Sequence, residues 1–379
     1  MACPRRVKAA VIGCGEISEI YLENLTRYFH LVEVVGCSDI ISGRAQLRAG
    51  QFGLRVMTNE EIYLDPEIEL VLNLTYPTSH YEVTKAALLA GKHVYTEKML
   101  AVKLEEGEEL AALAREKRLW LTTGPDTCLG GGLQTARYLI DSGMIGTPVM
   151  ALGFCPRSYP LDRPDDVVRM IHLPGGGIPF DMGGYYLHAF INFFGSIRRA
   201  GGFMQIRHQE RRFFHPRSPL YGEEHKELSP NTMTANLEFA SGVLGCLMMT
   251  SECDAGAEEK MEIIGTEGSL FVHDPNFFGG RIALKRTGNA APMEMPYTHA
   301  FHEQNLRGLG AVDLAWAIRT GRKPRLEAAI GLQAFEVIHR VWQSAEDGQI
   351  HPIAHQLERP EAMPRTSLIG SCAECVLDK

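Results

Sequence analysis

The amino-acid sequence predicts an α/β protein in which an N-terminal doubly wound parallel sheet precedes an α+β domain with a large, open, mainly antiparallel sheet. Three observations lead to this fold class. Strand-like and helix-like segments alternate through the first third of the chain, and strand-like segments later follow one another without intervening helices. At 379 residues the chain also exceeds the usual size of one domain. We therefore predict a first domain over residues 1–124 and a second over 125–379.

The first domain begins with a strand, a glycine turn and a helix. Residues 7–12 (VKAAVI) form an apolar run typical of a buried strand, and apolar residues recur at helical spacing after Gly15. The apolar run 68–74 suits a central parallel strand, because such strands are covered on both faces. The other predicted elements are strands at 31–37, 54–57 and 93–96, a helix at about 80–90, and a last strand near 122–125.

The second domain changes pattern from alternation to runs of strands. Two helices (133–142 and 181–194) flank a strand at 148–155 and an irregular polar stretch at 156–174. Strands without crossovers favour an antiparallel or mixed sheet. The predicted strands lie at 197–208, 233–240, 243–252, 261–265 and 269–273, and two helices follow at 303–320 and 327–346.

The composition is that of an ordinary globular protein, with 45% hydrophobic and 22% charged residues. A formal net charge of −8 gives no electrostatic reason to expect nucleic acid or an anionic membrane as a partner. No apolar run approaches the ~20 residues of a membrane helix. The expected partners are therefore small molecules and other subunits.

The cysteines predict neither a disulfide framework nor a metal site. Nine cysteines at irregular spacings indicate reduced thiols, and the Cys372/Cys375 pair has no second pair that would complete a zinc site. The N-terminal residues also contain no apolar signal region. Together these observations predict a cytoplasmic protein without a metal.

A glycine turn after the first strand predicts a dinucleotide site of the Rossmann type. Gly13 permits a tight turn, Gly15 allows close backbone approach to a pyrophosphate, and Ser18 stands where the fingerprint has its third glycine. Asp39 ends the next strand, where it would bind the ribose hydroxyls and repel a 2′-phosphate, so NAD is favoured over NADP. Ser42 and Arg44 keep NADP open, and the alternative is a turn and a capping aspartate without a ligand.

Polar residues follow two neighbouring strands at the edge where ligands bind in open α/β sheets. Residues 74–80 (LTYPTSH) leave one strand and residues 95–98 (YTEK) leave the next. The ammonium of Lys98 at this edge could hold a substrate oxygen and depress the pKa of a neighbouring phenol. The alternative is a surface lysine after a strand.

A glycine-rich segment, residues 174–188, contains the third group of candidates. Asp181 begins a predicted helix, and Tyr185 and His188 would lie on the same helical face, where the three could act on a proton. The alternative makes Asp181 a helix cap, the tyrosine a core residue and the histidine a satisfied polar group. Four residues in the irregular stretch before the glycines are candidates for substrate contacts: Arg157, Arg163, Arg169 and His172.

With these motifs the chain resembles the Gfo/Idh/MocA family of oxidoreductases over almost its whole length. The matching segments are VIGCGEI (11–17), CSDI (37–40), AGKHVYTEKML (90–100), GGGIPFDMGGYYLHAF (175–190), IIGTEGSLFV (263–272) and AWAIRTGRKPR (315–325). The resemblance implies a Rossmann domain followed by an α/β domain whose open sheet often forms subunit contacts. A homodimer or homotetramer is therefore expected.

The resemblance also implies residue roles. Glu97 and Lys98 match the family's EKP motif, with Met99 in place of its proline, and Asp181 matches the aspartate of its DxGxH pattern. Tyr185 stands where inositol dehydrogenase-like members have a histidine, which resembles the glucose-fructose oxidoreductase and dihydrodiol dehydrogenase branch. The predicted cofactor residues are Gly13, Gly15, Glu16, Ile17, Asp39, Thr75, Pro77, His80, Glu97 and Lys98. The predicted substrate residues are Lys98, Arg169, His172, Asp181, Tyr185 and His188, of which Lys98, Asp181 and Tyr185 are also predicted to be catalytic.

The function that these features predict is hydride transfer between NAD and a carbinol or ketone of a sugar, glycoside or polyol. Tyr185 would exchange the hydroxyl proton. Two alternatives stay open: a lyase, epimerase or glycosidase that retains NAD and oxidises the sugar transiently, and a non-catalytic regulator that senses a dinucleotide or sugar. The sequence does not name the substrate.

Overall fold

A parallel six-stranded sheet forms the first layer of the protein, whose computed structural model describes residues 5–159, 171–172, 174–214, 216, 218, 220–253 and 260–365. Its strand order is β3-β2-β1-β4-β5-β6, and all neighbours run parallel. The strands are β1 (Val7–Ile12), β2 (Val32–Ser38), β3 (Arg55–Val56), β4 (Leu70–Asn73), β5 (His93–Thr96) and β6 (Leu121–Thr123). All four residues of β4 are buried, as expected for a central parallel strand. The predicted doubly wound sheet is confirmed.

Helices cover both faces of this sheet. The helices are α1 (Ser18–Glu23), continued by a π-helical turn (Asn24–Tyr28), α2 (Ser42–Phe52), α3 (Asn59–Leu64), α4 (Pro77–Leu89) and α5 (Leu104–Lys117). α4 begins at Pro77 rather than near residue 80, because proline is well suited to the first helical position. Thr58 and Glu61 cap α3 reciprocally, which fixes the start of this short helix.

The second layer is a nine-stranded mixed sheet in the order β16-β15-β14-β13-β7-β12-β11-β8-β17. Its strands are β7 (Pro148–Pro156), β8 (Ile197–Gln205), β11 (Thr232–Phe239), β12 (Leu244–Thr250), β13 (Lys260–Gly265), β14 (Gly268–Val272), β15 (Ala283–Arg286), β16 (Met293–Glu294) and β17 (His351–Pro352). Only β7 and β12 run parallel, so the predicted open, mainly antiparallel sheet is confirmed. A separate two-stranded ribbon pairs β9 (Glu210–Arg212) with β10 (Glu224–Lys226).

One face of the large sheet packs against helices and the other is open. The helices of this half are α6 (Gly131–Asp141), α7 (Gly177–Asp181), α8 (Gly183–Phe194), α9 (Leu309–Thr320) and α10 (Ala328–Asp347), and a 3₁₀ turn spans Asp126–Leu129. Side chains of α6, α8 and α10 share one buried core with the sheet. The opposite face, here called the open face, exposes Met150, Phe203, Leu244 and Met248.

The predicted helix over 181–194 is wrong in one detail. Asp181 is the last residue of α7 and does not begin a helix, and α8 starts separately at Gly183. Met182 interrupts the two helices, and the following pair Gly183 and Gly184 has low helix propensity. The break turns α8 away from α7 just after Asp181.

The helix α9 belongs to the core of the first sheet, although it lies far along the chain. Leu309, Val312 and Trp316 pack with residues of β1, β2 and α1 in one buried cluster. Arg319 fixes α9 further, because its guanidinium binds both carboxylate oxygens of Glu69 at 2.6 and 2.8 Å. The domain boundary between residues 124 and 125 stays a prediction. Although α9 lies beyond that boundary in the chain, it packs with the first sheet. Among the described residues no helix is both long and apolar enough to cross a membrane.

Candidate active site

Two adjoining cavities lie outside the carboxyl ends of the parallel strands. Their volumes are about 320 and 550 Å³, and both are lined by Gly15, Thr75 and Pro77. They lie beside β1 and β4, where the strand order reverses, which is the position at which open α/β sheets bind ligands. The smaller cavity extends towards Asp39 and the larger one towards the nine-stranded sheet. Both volumes are within the range of pockets for small molecules and cofactors.

The glycine turn after β1 shapes the floor shared by both cavities. Gly13 has a φ of +101°, and a Cβ atom there would lie 2.6 Å from the carbonyl carbon of Leu74. A Cβ atom on Gly15 would meet nothing within 4 Å and would project into the open cavity. Ser18, in place of a third glycine, is fully buried, and its hydroxyl donates to the Gly15 carbonyl at 2.6 Å. This cradle therefore fits the pyrophosphate of a dinucleotide without a third glycine.

Asp39 lines the smaller cavity at the end of β2. Its two carboxylate oxygens accept the backbone N–H groups of Cys14 and Ile41, each at 2.7 Å. Arg44 lines the same cavity, and its guanidinium lies 3.5 Å from the Tyr76 hydroxyl. The carboxylate is thereby aimed where the ribose of an adenosine would be bound.

The two strand exits meet at a buried histidine. The ring nitrogens of His80 lie 2.6 Å from the carbonyl oxygen of Met99 and 2.9 Å from that of Thr75. Burial lowers the pKa of His80, and the contacts with the two carbonyl oxygens oppose that shift. His80 lines the larger cavity and also braces the exits of β4 and β5 against each other. The peptide bond between Lys98 and Met99 is cis.

Glu16 and Ile17, the remaining predicted cofactor residues of the glycine turn, also line the larger cavity. Glu97 lines it too, and its carboxylate accepts the hydroxyl of the buried Tyr21 at 2.6 Å. The backbone N–H of Lys98 donates to the other oxygen of Glu97 at 3.0 Å. These contacts hold the Glu97 side chain against the backbone N–H of Lys98. They therefore fix the backbone from which the Lys98 side chain projects.

Lys98 and Asp181 form an ion pair in the larger cavity, in which the ammonium donates a hydrogen bond to the carboxylate. The ammonium also donates to the Asp181 carbonyl at 3.1 Å, and Tyr159 donates to the second carboxylate oxygen at 2.5 Å. Burial alone would lower the pKa of Lys98, but the charge of Asp181 outweighs it and raises that pKa. Burial would likewise raise the pKa of Asp181, and Lys98 holds it below its ordinary value. Both groups are therefore charged at neutral pH.

Tyr185 approaches this pair from α8. The Lys98 ammonium lies 5.3 Å from the centre of the Tyr185 ring, and the Arg307 guanidinium donates to the Tyr185 hydroxyl at 3.2 Å. Burial raises the pKa of Tyr185 above its ordinary value, and Lys98 and Arg307 offset the rise only in part. Lys98 acts in the predicted direction, but the phenol is more basic than predicted and stays protonated at neutral pH.

Two predicted substrate residues lie away from the cavity linings. His188 is 1% exposed, and its Nδ1 lies 2.7 Å from the Gly184 carbonyl within α8. His172 is buried against Glu227, whose carboxylate contacts its Nδ1. Both histidines contact protein groups through Nδ1 and neither lines the larger cavity, so their contact with a substrate stays a prediction. Arg163 and Arg169 lie outside the described residues.

Three residues in or beside the larger cavity, Tyr159, Asn276 and Arg307, had no role in the sequence prediction, whereas Arg157 was a candidate for substrate contacts. Arg157, Asn276 and Arg307 line this cavity, and Tyr159 binds Asp181 from behind. Arg157 is paired with Asp274 at 2.7 Å. The three residues without a predicted role come from the segment after β7 and from loops more than a hundred residues away from the glycine turn, where no local pattern marks them. Only the fold brings them to the carboxyl ends of β4 and β5.

A Rossmann sheet with a dinucleotide cradle, joined to a cavity that holds a lysine, an aspartate and a tyrosine, defines an NAD-binding oxidoreductase. Two family models match the chain. Residues 7–124 match the model described as "Oxidoreductase family, NAD-binding Rossmann fold", and residues 133–271 match the GFO/IDH/MocA C-terminal domain. The chain belongs to the GFO/IDH/MocA family of oxidoreductases, and NAD is its cofactor.

Individual relatives agree with this assignment. An uncharacterised oxidoreductase of Schizosaccharomyces pombe is 32% identical over 276 residues, which cover 71% of each chain. The scyllo-inositol 2-dehydrogenase (NAD(+)) of Bacillus subtilis is 25% identical over 86% of this chain and 92% of its own. Among solved structures, a levoglucosan dehydrogenase in complex with NADH has a TM-score of 0.80 at 19% identity, over 93% of this chain and 100% of that one. The last comparison shows likeness in fold.

Proposed function

We propose that this oxidoreductase transfers a hydride between NAD and a secondary carbinol carbon of a cyclic polyol or sugar, with Tyr185 as the acid–base group. The observation that carries the proposal is the convergence of Lys98, Asp181 and Tyr185 in one cavity beside the dinucleotide cradle. When bound, NAD supplies the nicotinamide carbon that accepts or donates the hydride.

Tyr185 is suited to exchange the substrate's hydroxyl proton. Its phenol is protonated at neutral pH, so it can donate a proton to the oxygen of a ketone while that ketone is reduced. In the opposite direction the phenolate must accept the proton from the carbinol. Oxidation therefore becomes faster as the pH rises towards the pKa of Tyr185, and reduction is favoured at lower pH.

The ion pair of Lys98 and Asp181 orients the reacting oxygen. The ammonium faces the Tyr185 ring, so a substrate oxygen within reach of the Tyr185 hydroxyl is also near a positive charge. Asp181 holds that ammonium in place and is held in turn by the hydroxyl of Tyr159. Such support from a neighbouring residue preserves the geometry that proton transfer requires.

The substrate class is supported by the relatives and by the cavity. The named relatives include a scyllo-inositol 2-dehydrogenase and the myo-inositol 2-dehydrogenase of Thermotoga maritima, both of which are named for cyclic polyols. A volume of about 550 Å³ holds a six-membered ring with its hydroxyls beside the nicotinamide. Arg157 and Asn276 line this cavity and offer hydrogen-bonding groups to such hydroxyls.

A substrate panel tests the proposal. Purified protein is mixed with NAD or NADP and with scyllo-inositol, myo-inositol or levoglucosan, and NADH formation is followed while products are identified by mass. We expect NADH to accumulate together with a product two hydrogens lighter than at least one substrate. A product that forms without net NADH would replace simple oxidation by a reaction that oxidises the sugar transiently, and no turnover of any related carbinol would contradict the proposal.

Asp39 is expected to set the preference for NAD over NADP. Changing Asp39→Ala should weaken NAD binding and narrow the difference between the two cofactors, because the ribose acceptor and the repulsion of a 2′-phosphate are both lost. Titration of each cofactor against both proteins measures this. Tighter binding of NADP by the unchanged protein would contradict the assignment and identify Arg44 as a phosphate ligand.

The open face is expected to join subunits into a homodimer or homotetramer. Phe203 is 78% exposed, and Met150, Leu244 and Met248 lie on adjoining strands of the same face, so one chain alone leaves this apolar surface in water. Light scattering should give a multiple of 42.1 kDa, and Phe203→Glu should lower it towards the single-chain mass. A single-chain mass for the unchanged protein would contradict this expectation.

A cytoplasmic location completes the proposal. All six cysteines in the described part of the chain are free thiols, which is typical of a reducing compartment. Fractionation of cells that produce the protein tests the location, and recovery outside the cytoplasm would contradict it.

A further inference from the structure

Arg307 is a nearly buried cation whose hydrogen bonds go to neutral oxygens. One terminal nitrogen of its guanidinium donates to the Tyr185 hydroxyl at 3.2 Å and to the side-chain oxygen of Asn276 at 2.7 Å, and the backbone carbonyl of Asn276 lies 3.5 Å away. The other donates to the side-chain oxygen of Asn305 at 2.8 Å. Within the described residues Arg307 has no carboxylate at ion-pair distance. Its positive charge acts on the phenol of Tyr185 and on the buried carboxylate of Asp126.

The backbone that carries Arg307 is held in place on both sides. The buried side chain of Asn24, in the π-helical turn after α1, donates to the carbonyls of Asn305 and Arg307 at 2.9 and 2.8 Å. On the other side, the Asp126 carboxylate accepts the backbone N–H of Gly308 at 2.7 Å. These contacts fix the guanidinium relative to Tyr185 before any ligand binds, so the contact between them is built into the fold.

We propose that Arg307 is a positioning residue for Tyr185, which orients the phenol's proton towards the substrate and stabilises the phenolate when that proton leaves. This inference rests on the proposed role of Tyr185 in hydride transfer. Because the guanidinium occupies a lone pair of the phenol oxygen as a donor, the phenol's own hydrogen must point elsewhere. The larger cavity is the open space on that side, and both residues line it.

Three other charges face Tyr185, and of these only the ammonium of Lys98 also stabilises a phenolate. They are Lys98, Asp181 and Glu97. The charge of Lys98 is matched by Asp181 in the ion pair between them, and Glu97 adds a negative charge that opposes a phenolate. Arg307 makes no ion pair among the described residues and donates a hydrogen bond to the phenol itself, and the buried Asp126 carboxylate offsets part of its charge. Charge-assisted hydrogen bonds of this kind are stronger than neutral ones.

Ionisation of Tyr185 tests the proposal without any substrate. The protein is labelled with 3-fluorotyrosine, whose phenol is more acidic than that of tyrosine, so that each tyrosine ionises at a lower pH. Fluorine NMR then follows the twelve tyrosines against pH, and Tyr185→Phe identifies the resonance of Tyr185. We expect Arg307→Met to raise the pH at which Tyr185 ionises by about 1–3 pH units. Arg307→Lys keeps a charge and should give a smaller rise.

Arg286→Met is the matched control, because it removes a half-exposed guanidinium paired with Glu267 on the second sheet. It should leave the Tyr185 resonance unchanged. If Arg307→Met is unstable, Arg307→Lys still decides the question, since the lysine lacks the planar fork that reaches both Tyr185 and Asn305. An unchanged ionisation of Tyr185 in both variants would overturn the proposal.

Kinetics give a second readout once a substrate is found. For oxidation below the pKa of Tyr185, Arg307→Met should lower kcat by about tenfold for each pH unit by which that pKa rises, and should move the pH profile upward. A rise in KM with an unchanged pH profile would overturn the proposal and make Arg307 a substrate ligand. If the unchanged protein oxidises no carbinol, the proposed function fails, whereas the fluorine titration still decides whether Arg307 controls the phenol.

Discussion

Lys98→Met and Tyr185→Phe are each expected to slow hydride transfer by about 10²–10⁴-fold while leaving NAD binding nearly intact. Lys98→Met removes the positive charge beside the reacting oxygen, and Tyr185→Phe removes the group that exchanges its proton. Neither side chain shapes the glycine turn or touches Asp39. Single-turnover measurements of NADH formation give the rate of the chemical step, and titration with NAD gives the affinity.

Tyr186→Phe is the matched control for Tyr185→Phe. Its hydroxyl donates to the carbonyl of Phe154 at 3.3 Å, inside the core and away from Lys98, so the rate should stay close to normal. If Lys98 and Tyr185 act as one unit, the double variant should be little slower than either single one. Near-normal turnover of Tyr185→Phe with a large loss in His188→Ala would move the acid–base role to His188.

Gly15→Ala is expected to weaken NAD binding by about tenfold or more without lowering the thermal stability of the free protein. A methyl group at Gly15 meets no protein atom within 4 Å, so it should change the free energy of unfolding of the free protein little. It occupies the space in which the pyrophosphate approaches the backbone. Fluorescence titration with NAD and thermal unfolding without NAD measure the two effects separately.

Gly13→Ala is the comparison that separates cofactor binding from folding. Its methyl group would overlap the backbone of Leu74, and a φ of +101° is unfavourable for alanine, so the unfolding temperature should fall together with the affinity. Equal stability losses in both variants would show that the space at Gly15 is structural, and unchanged NAD affinity in Gly15→Ala would remove the pyrophosphate from this turn.

Much of the fold could be predicted because the strong patterns are local. Residues 7–12 and 93–96 became β1 and β5 with the predicted bounds, and most of their side chains are buried, as in a parallel strand that is covered on both faces. The short ribbon of β9 and β10 carries charged residues and has no alternation of apolar and polar residues, so no sequence pattern predicts it. The position of α9 in the first core was equally hidden, because periodicity shows that a helix has an apolar face but not which sheet covers it.

Site residues could be predicted where a single motif both contains the residue and places it directly after a strand. The strand exit holding Lys98 and the glycine turn holding Gly15 follow strands directly, so the topology brings them to one edge. His188 shares a helix with Tyr185, but helical spacing could not show that its ring faces the carbonyl of Gly184. Arg307 and Tyr159 reach the site only through tertiary packing, and neither stands in a motif.

The chain forms the NAD-binding sheet first and the large sheet second, and α9 then packs against the first sheet and completes its core. A fragment that stops at residue 124 would leave bare the apolar surface on which Leu309, Val312 and Trp316 lie. Arg307 lies in the segment that leads into α9, just before this helix begins. The segment that completes the cofactor layer therefore also carries the cation at the phenol, so a truncation that removes one removes the other.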